Sequence, residues 1–145
     1  MTNAGGPGIL FADACEAHGI TLPRLGTPTV ERLRGYLPPH AGLSNPVDMI
    51  ASATPEQFER TIEIVGNDPD IDALVVIYVR PYVTKPEAIA QAIAHAAGTV
   101  PDYKPIVPVF MSSQGAPTSL AFGPRGSLPR YRFPENAAIA LSSAA

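Results

Sequence analysis

Asn3-Ala4-Gly5-Gly6-Pro7-Gly8 is the stretch of this chain whose residue types best suit chemistry, because it is a glycine-rich loop running directly into an apolar helical segment. Glycines leave backbone N–H groups uncovered, and the positive end of a helix dipole behind them attracts phosphate or carboxylate. A plain turn is the competing reading, and Pro7 removes one donor from any cradle. The residues expected to bind an anion here are Asn3, Gly5, Gly6 and Gly8. The acid–base candidates are His18, His40 and His95, the three histidines of the chain. His18 and His95 fall near helix C-termini, where an imidazolium is simply comfortable against the dipole. His40 sits in a Pro-Pro-His-Ala-Gly loop with no carboxylate close in sequence, so no catalytic residue is assigned. Cys15 is the lone cysteine, which excludes a disulfide framework and a cysteine metal site, and no metal ligands are expected. Asp48, in Asn45-Pro46-Val47-Asp48, fits a ligand contact and a self-bonded turn equally well. Ser112-Ser113-Gln114-Gly115 lacks the sharp strand-to-helix elbow that a nucleophilic serine needs.

These residues must be positioned by short elements, since the 17 prolines and 12 glycines punctuate periodic segments along the 145 residues. A first helix is expected from about Gly8 to His18, stopped by Gly19, and Ile20–Leu25 is a candidate edge strand. Thr29–Leu37 has helical spacing and ends at Pro38-Pro39. Asn45–Ile50 reads as a short strand or turn. Thr54 predicts an N-cap with Pro55 at the first helical position and Gln57 completing a capping box, and Phe58, Ile62 and Val65 form the buried stripe. Ile71–Val79 is the near-continuous aliphatic run of a central parallel strand. Thr84-Lys85-Pro86-Glu87 predicts a second capping-box start, Pro105–Met111 a strand kept from the sheet centre by Pro108, and Leu128–Phe133 a last short strand. Between the last two, Ala116–Ser127 is expected to hold a short helix and a loop, and Pro134-Glu135 starts a final helix.

Strands and helices therefore alternate, which specifies an α/β, flavodoxin-like three-layer sandwich with a mostly parallel sheet. Because the chain opens on a loop-to-helix turn, its first strand is expected to be missing or truncated to a residue or two at Thr2-Asn3. Ligands of such sheets sit outside the carboxyl ends of the strands. The loops expected there are Asn3–Gly8, Asn45–Asp48, Arg80–Thr84 and Ser112–Gly115. A net charge of −3 gives no electrostatic footprint for nucleic acid, and Arg125, Arg130 and Arg132 read as a solvated or interdomain surface, with a phosphate-clasping role as the less favoured alternative. The apolar runs are shorter than the ~20 residues of a membrane span and there is no basic-then-apolar leader, so a cytoplasmic protein is expected.

Thr2–Ile9, Ala12–Glu16, Asn45-Pro46-Val47-Asp48, Thr54-Pro55-Glu56 and Tyr131-Arg132-Phe133-Pro134-Glu135 occur in the order and spacing of one known module. In these motifs the chain resembles the CoA-ligase domain of ADP-forming acyl-CoA (acetyl-CoA) synthetases and, more distantly, the C-terminal domain of the succinyl-CoA synthetase β subunit. The resemblance implies that residues 1–145 are one flavodoxin-fold domain of a larger synthetase that joins an acid to CoA with cleavage of ATP to ADP and phosphate through a phosphohistidine. It also implies that two helix N-termini, from two related domains, hold the phosphate. The asparagine-glycine loop Asn3–Gly8 would supply one, and the second contact region falls on Arg80-Pro81-Tyr82-Val83 with a helix start at Thr84. Phosphate or substrate contacts are thus expected from Asn3, Gly5, Gly6, Gly8, Arg80, Tyr82 and Thr84, with Asn45, Asp48, Ser112 and Ser113 lining the mouth.

No Ser-His-Thr-Gly phosphohistidine segment, CoA-binding Gly-x-Gly-x-x-Gly turn or ATP-grasp lid occurs in the chain. The isolated chain is therefore expected to be inactive and to bind no cofactor by itself. CoA, ATP or ADP and Mg²⁺ belong to the parent enzyme, with CoA-binding, phosphohistidine and ATP-grasp domains as partners. The alternative is a synthetase-like regulatory domain fused to a GNAT-type protein lysine acetyltransferase, and a free-standing response module is disfavoured by the lack of an acidic cluster at the first strand end. A truncated first strand also predicts dimerisation through the exposed sheet, strand exchange or low stability.

Overall fold

The computed structural model describes residues 1–82 and 84–145; Val83, part of the expected Arg80–Thr84 loop, lies outside the described residues. The elements in chain order are α1 (Gly5–Ala17), α2 (Thr27–Arg34), α3 (Pro55–Gly66), β1 (Leu74–Val79), α4 (Pro86–Ala97), β2 (Ile106–Met111), a 3₁₀ turn (Thr118–Ala121) and α5 (Pro134–Ala144). None of the described helices is long and apolar enough to cross a membrane.

β1 and β2 pair in parallel, with Leu74 opposite Ile106 and Val79 opposite Met111. Three shorter segments extend this pair. Thr2 bridges Ile77 of β1 on one side and Asp48 on the other, both in parallel, and Tyr131 bridges Val109 of β2 in parallel. The order across the sheet is therefore residues 47–49, residues 1–2, β1, β2, residue 131. Numbered along the chain, this is 2-1-3-4-5, the flavodoxin-like order. Met1 and Thr2 stand as the end of the first strand, with the Met1 amino group donating to Val75 O at 2.9 Å, Ile77 N to Met1 O at 3.0 Å, Thr2 N to Val47 O at 2.8 Å and Met49 N to Thr2 O at 2.8 Å.

Alternation along β1 and β2 sends side chains into two layers. Val76, Tyr78, Ile106 and Phe110 meet Phe58, Ile62, Ile89 and Ile93 of α3 and α4. Val75, Ile77, Val107 and Val109 meet Phe11, Ala14 and Cys15 of α1 and Ala137 and Ala138 of α5. The three-layer α/β sandwich follows from these two apolar faces.

Several local expectations shift in place. α1 begins at Gly5, three residues before the expected Gly8, because Pro7 occupies a first-turn position where its absent N–H is no loss. Ile20–Leu25 forms no strand; Ile20 and Leu22 pack on the α1–α5 layer instead. α2 spans Thr27–Arg34, short of Leu37, and the Thr54–Gln57 capping box of α3 forms as the sequence predicts. The N-cap of α4 is Lys85 without a side-chain bond, whereas Thr84 turns its hydroxyl to Tyr78 Oη at 3.0 Å. Residues 128–133 contribute the single bridge at Tyr131. Pro108 presents its carbonyl to Tyr131 N at 3.1 Å and has no N–H to offer on that same edge, which limits pairing there.

Asp68 anchors the turn after α3. Its carboxylate accepts from Gly26 N at 3.1 Å, Thr29 Oγ1 at 2.5 Å and Asp70 N at 2.9 Å. Burial acts to raise its pKa, but the hydrogen bonds from Thr29, Asp70 and Gly26 and the charge of Lys104 outweigh it and hold the carboxyl below its ordinary value. A carboxyl depressed in the folded state contributes stability above the unfolded value, about 3.9, and loses it as pH falls through the folded value. Thermal melts from pH 7 down to pH 3 and below are therefore expected to show Asp68→Asn about 1–3 kcal/mol less stable at neutral pH, with the gap closing on the acid side. A gap that does not change with pH would contradict the charged role.

Candidate functional site

The crevice that a 2-1-3-4-5 sheet offers lies at the carboxyl ends of its first and third strands, where connections leave in opposite directions. Here those ends are Thr2-Asn3 and Val79, and the chain ties them together directly. The Asn3 side-chain amide donates to Val79 O at 2.8 Å and its Oδ1 accepts from Val79 N at 2.9 Å. Asn3 is buried, so its polar atoms are spent on joining the two loops and are not presented to a ligand.

The start of α1 follows at once. Thr2 Oγ1 accepts from Ala4 N at 3.1 Å, and Gly8 N already reaches Ala4 O at 3.4 Å as a helical bond. Pro7 has no N–H, and no side chain caps the helix. Of the amide donors that a helix N-terminus leaves open, Gly5 N–H and Gly6 N–H remain. Both residues are exposed, whereas Gly8 is buried, where a Cβ would meet Thr2 Cγ2 at 3.2 Å and Pro46 Cβ at 3.8 Å. The glycine cluster thus divides into two donors and one packing position.

Asp48 stands beside those donors. Its backbone pairs with Gly42, its Oδ1 accepts from Ile50 N at 2.9 Å, and its Oδ2 lies 3.0 Å from where a Cβ on Gly5 would be. Ile50 takes φ of 65°, an uncommon conformation for a β-branched residue, and in that turn its N–H bonds Asp48. A carboxylate here favours the helix start, and it opposes any second anion arriving at Gly5 and Gly6. A phosphate bound at this spot therefore needs positive charge from another source.

The remaining candidates distribute unevenly. Thr84, half-buried, and Arg80 and Tyr82, both exposed, follow β1 at the same mouth, Tyr82 fully so. Asn45 is not brought there: its side-chain amide donates to Pro23 O at 3.0 Å, and it lines a cavity of about 410 Å³ with Leu74 and Pro105 at the amino ends of the strands. The ladder residues of that segment are 47–49, so Asn45 precedes the strand instead of following it. Ser112 and Ser113 follow β2 at the carboxyl edge, where their carbonyls accept from Arg132. Ser112 Oγ accepts from Gln114 N at 3.3 Å, an ordinary turn bond.

The histidines stay away from this mouth. His18 is the exposed C-cap of α1, His40 is exposed in its loop, and His95 pairs through Nδ1 with Glu59 on the outer surface of α3 and α4. Among the described residues no group of three His, Cys, Asp or Glu side chains is placed to hold a metal. Cys15 is fully buried, and burial raises its thiol pKa, so it is inert packing.

The profile of the Ligase-CoA domain family matches residues 1–117. The acetate–CoA ligase [ADP-forming] II subunit alpha of Pyrococcus furiosus is 39% identical over 142 residues, which are 97% of this chain and 31% of that protein. The acetate–CoA ligase [ADP-forming] of Methanocaldococcus jannaschii is 34% identical over 144 residues, 98% of this chain and 20% of that protein. Among solved structures, a Pyrococcus horikoshii protein superimposes with a TM-score of 0.89 at 38% identity, over 99% of this chain and 33% of its own. The dinucleotide-forming acetyl-coenzyme A synthetase 1 of Candidatus Korarchaeum cryptofilum, solved with phosphate and ADP, gives a TM-score of 0.87 at 27% identity over 98% of this chain and 31% of its own. The chain spans about a third or less of the length of these proteins.

Proposed function

Because the chain belongs to the Ligase-CoA domain family, we propose that residues 1–145 act as one domain of an ADP-forming acyl-CoA synthetase. In this reading the parent joins a carboxylic acid to CoA and converts ATP to ADP and phosphate, with the phosphoryl group carried on a histidine of another domain. The observation that carries it is the half-built anion site at the sheet's switch point. Gly5 and Gly6 offer open amides at the start of α1, while Asp48 beside them demands that the balancing cation come from a facing domain. CoA, nucleotide and Mg²⁺ are then held by the partner domains, and the enzyme works in the cytoplasm. The named relatives are ligases and lend no support to the acetyltransferase-linked alternative. Self-association is a further proposal on partners: the cavity beside Met1, Val47 and Val75 would receive an extended segment of a second copy.

The test mixes this chain with the separately produced CoA-binding, phosphohistidine and ATP-grasp domains from the same organism. Acyl-CoA formation with release of ADP and phosphate, dependent on the added chain and absent from the chain alone, is the expected result. Release of AMP and pyrophosphate, or activity that ignores the chain, would overturn the reading. A charge variant locates the site. A Cβ on Gly6 meets nothing within 4 Å, so both Gly6→Ala and Gly6→Glu should fold normally. Gly6→Glu sets a second negative charge where phosphate should sit and is expected to lower the rate on the order of 10- to 100-fold, with Gly6→Ala close to wild type. Equal activity of the two variants would place the phosphate elsewhere.

A further inference from the structure

We propose that Arg130 and Arg132, with the loop Ser113–Ala116, form a second anion site that takes a small phosphate-bearing ligand, separate from the start of α1. The bridge of Tyr131 to β2 holds residues 130–132 extended, and alternation then puts Arg130 and Arg132 on one side and Tyr131 on the other. Tyr131 packs against the α1–α5 layer, so the two arginines share the opposite side with Phe110. Arg132 is not a free surface cation. Its Nε donates to Ser112 O at 3.2 Å and its Nη2 to Ser113 O at 2.8 Å, which fixes the guanidinium at the end of β2 and leaves Nη1 available. Arg130 makes no hydrogen bond or ion pair among the described residues.

Between them lies an open cavity of about 410 Å³ lined by Phe110 and the polar turn of Ser113, Gln114 and Gly115, without an acidic side chain. That local positive surface stands on a chain of net charge −3. The Arg130 fork and the remaining Arg132 Nη1 donor suit the anionic oxygens of a phosphate, and the volume exceeds what a bare phosphate needs, so a phosphoryl group attached to a larger small molecule fits it best. Arg125 shows the contrast: it donates to Pro101 O and Lys104 O and pairs with Asp102, spending its charge on the turn before β2. With strands about 4.8 Å apart, the arginine segment is three strand spacings, roughly 14 Å, across the sheet from the α1 start, so either site can exist without the other.

The test is a titration of ¹⁵N-labelled chain with inorganic phosphate, pyrophosphate and a phosphate monoester at constant ionic strength. Saturable shifts at Ser113, Gln114, Gly115 and the Arg132 side-chain N–H are expected, tighter for the ester or pyrophosphate than for free phosphate. Arg130→Gln, which disturbs no contact of the fold, should weaken binding about 10-fold, and Arg130→Lys should recover part of it because charge returns without the fork. The proposal is overturned by an absence of saturable shifts at about 10 mM ligand, by unchanged affinity in Arg130→Gln, or by shifts confined to Gly5 and Gly6. It is also overturned if a glutamate-rich peptide shifts these residues and the phosphates do not, which would make the pair a protein-docking surface.

Discussion

Asn3→Ala is expected to lose about 2–4 kcal/mol of stability and to uncouple the two loops of the switch point. The asparagine amide bonds both the N–H and the carbonyl of Val79, so truncation leaves a part-buried donor and a part-buried acceptor of the main chain without protein partners. Each such group costs roughly 1–3 kcal/mol when water does not replace the lost bond. Asn3→Asp is the sharper control. A carboxylate still accepts from Val79 N, but it opposes Val79 O where the amide had donated, so it should be at least as destabilising as alanine near neutral pH. Urea unfolding with an unchanged denaturant slope measures the loss, and hydrogen exchange at Val79 N–H locates it. If Asn3→Ala unfolds at the wild-type midpoint, Asn3 is not the clasp between the first strand and β1. A reconstituted enzyme carrying Asn3→Ala should also lose rate, because the start of α1 is no longer held against the loop after Val79.

Phe58→Ala carries the largest expected effect on the fold. Phe58 is fully buried on α3 and meets Tyr78 of β1 edge-on, with ring centroids 6.0 Å apart and planes at 74°. Tyr78 in turn meets Phe110 of β2 at 5.2 Å. Three rings thus join one helix to both full strands, and removing the outer one opens a void that close-packed neighbours fill only in part. A loss of about 3–5 kcal/mol is expected, and near 2–4 °C per kcal/mol for a chain of this size the melting temperature should fall by roughly 10–15 °C. Phe58→Leu keeps most of the volume and should lose less than half as much. The Tyr78 hydroxyl also bonds Thr84 at the mouth, so the alanine variant is expected to loosen the loop after β1, visible as faster amide exchange at Thr84. Similar melting temperatures for the alanine and leucine variants would show that the site collapses around the missing ring.

Much of this architecture was legible along the chain because it rests on local rules. The Thr54-Pro55-Glu56-Gln57 start forms its capping box through contacts three residues apart, and it does so whatever surrounds it. The aliphatic run ending at Val79 lies between two helical layers, as its lack of polar alternation requires. The parallel α/β class follows from alternation of elements, and the short first strand expected at Thr2-Asn3 appears as Met1 and Thr2 bonded on both sides. Where local signals compete, the chain alone misleads. Thr84 has the residue type of a cap, yet the cap position falls on Lys85 because Tyr78 claims the threonine hydroxyl from the neighbouring strand. Asn45 and Asp48 are close in sequence, but the short strand between them carries them to the amino and carboxyl ends of the sheet, and of the two Asp48 reaches the α1 start.

The glycine loop shows the same division within six residues. Its composition alone indicated that a helix start with open amides would lie near the beginning of the chain, because glycine leaves the backbone N–H groups uncovered and Pro7 is favoured in a first helical turn. Tertiary structure decided which groups remain available. The partner of Asn3 is Val79, 76 residues away, the packing neighbours of Gly8 are Thr2 and Pro46, and the charge beside Gly5 is Asp48. Arg130 and Arg132 stand two residues apart in the chain, but the acid-free cavity beside them exists only because β2 and the turn after it fold against residue 131. Local propensity acts over a few residues and can be read in order; the position of a charge or a hydrogen-bond partner depends on which strands become neighbours, and that is settled only when the sheet assembles.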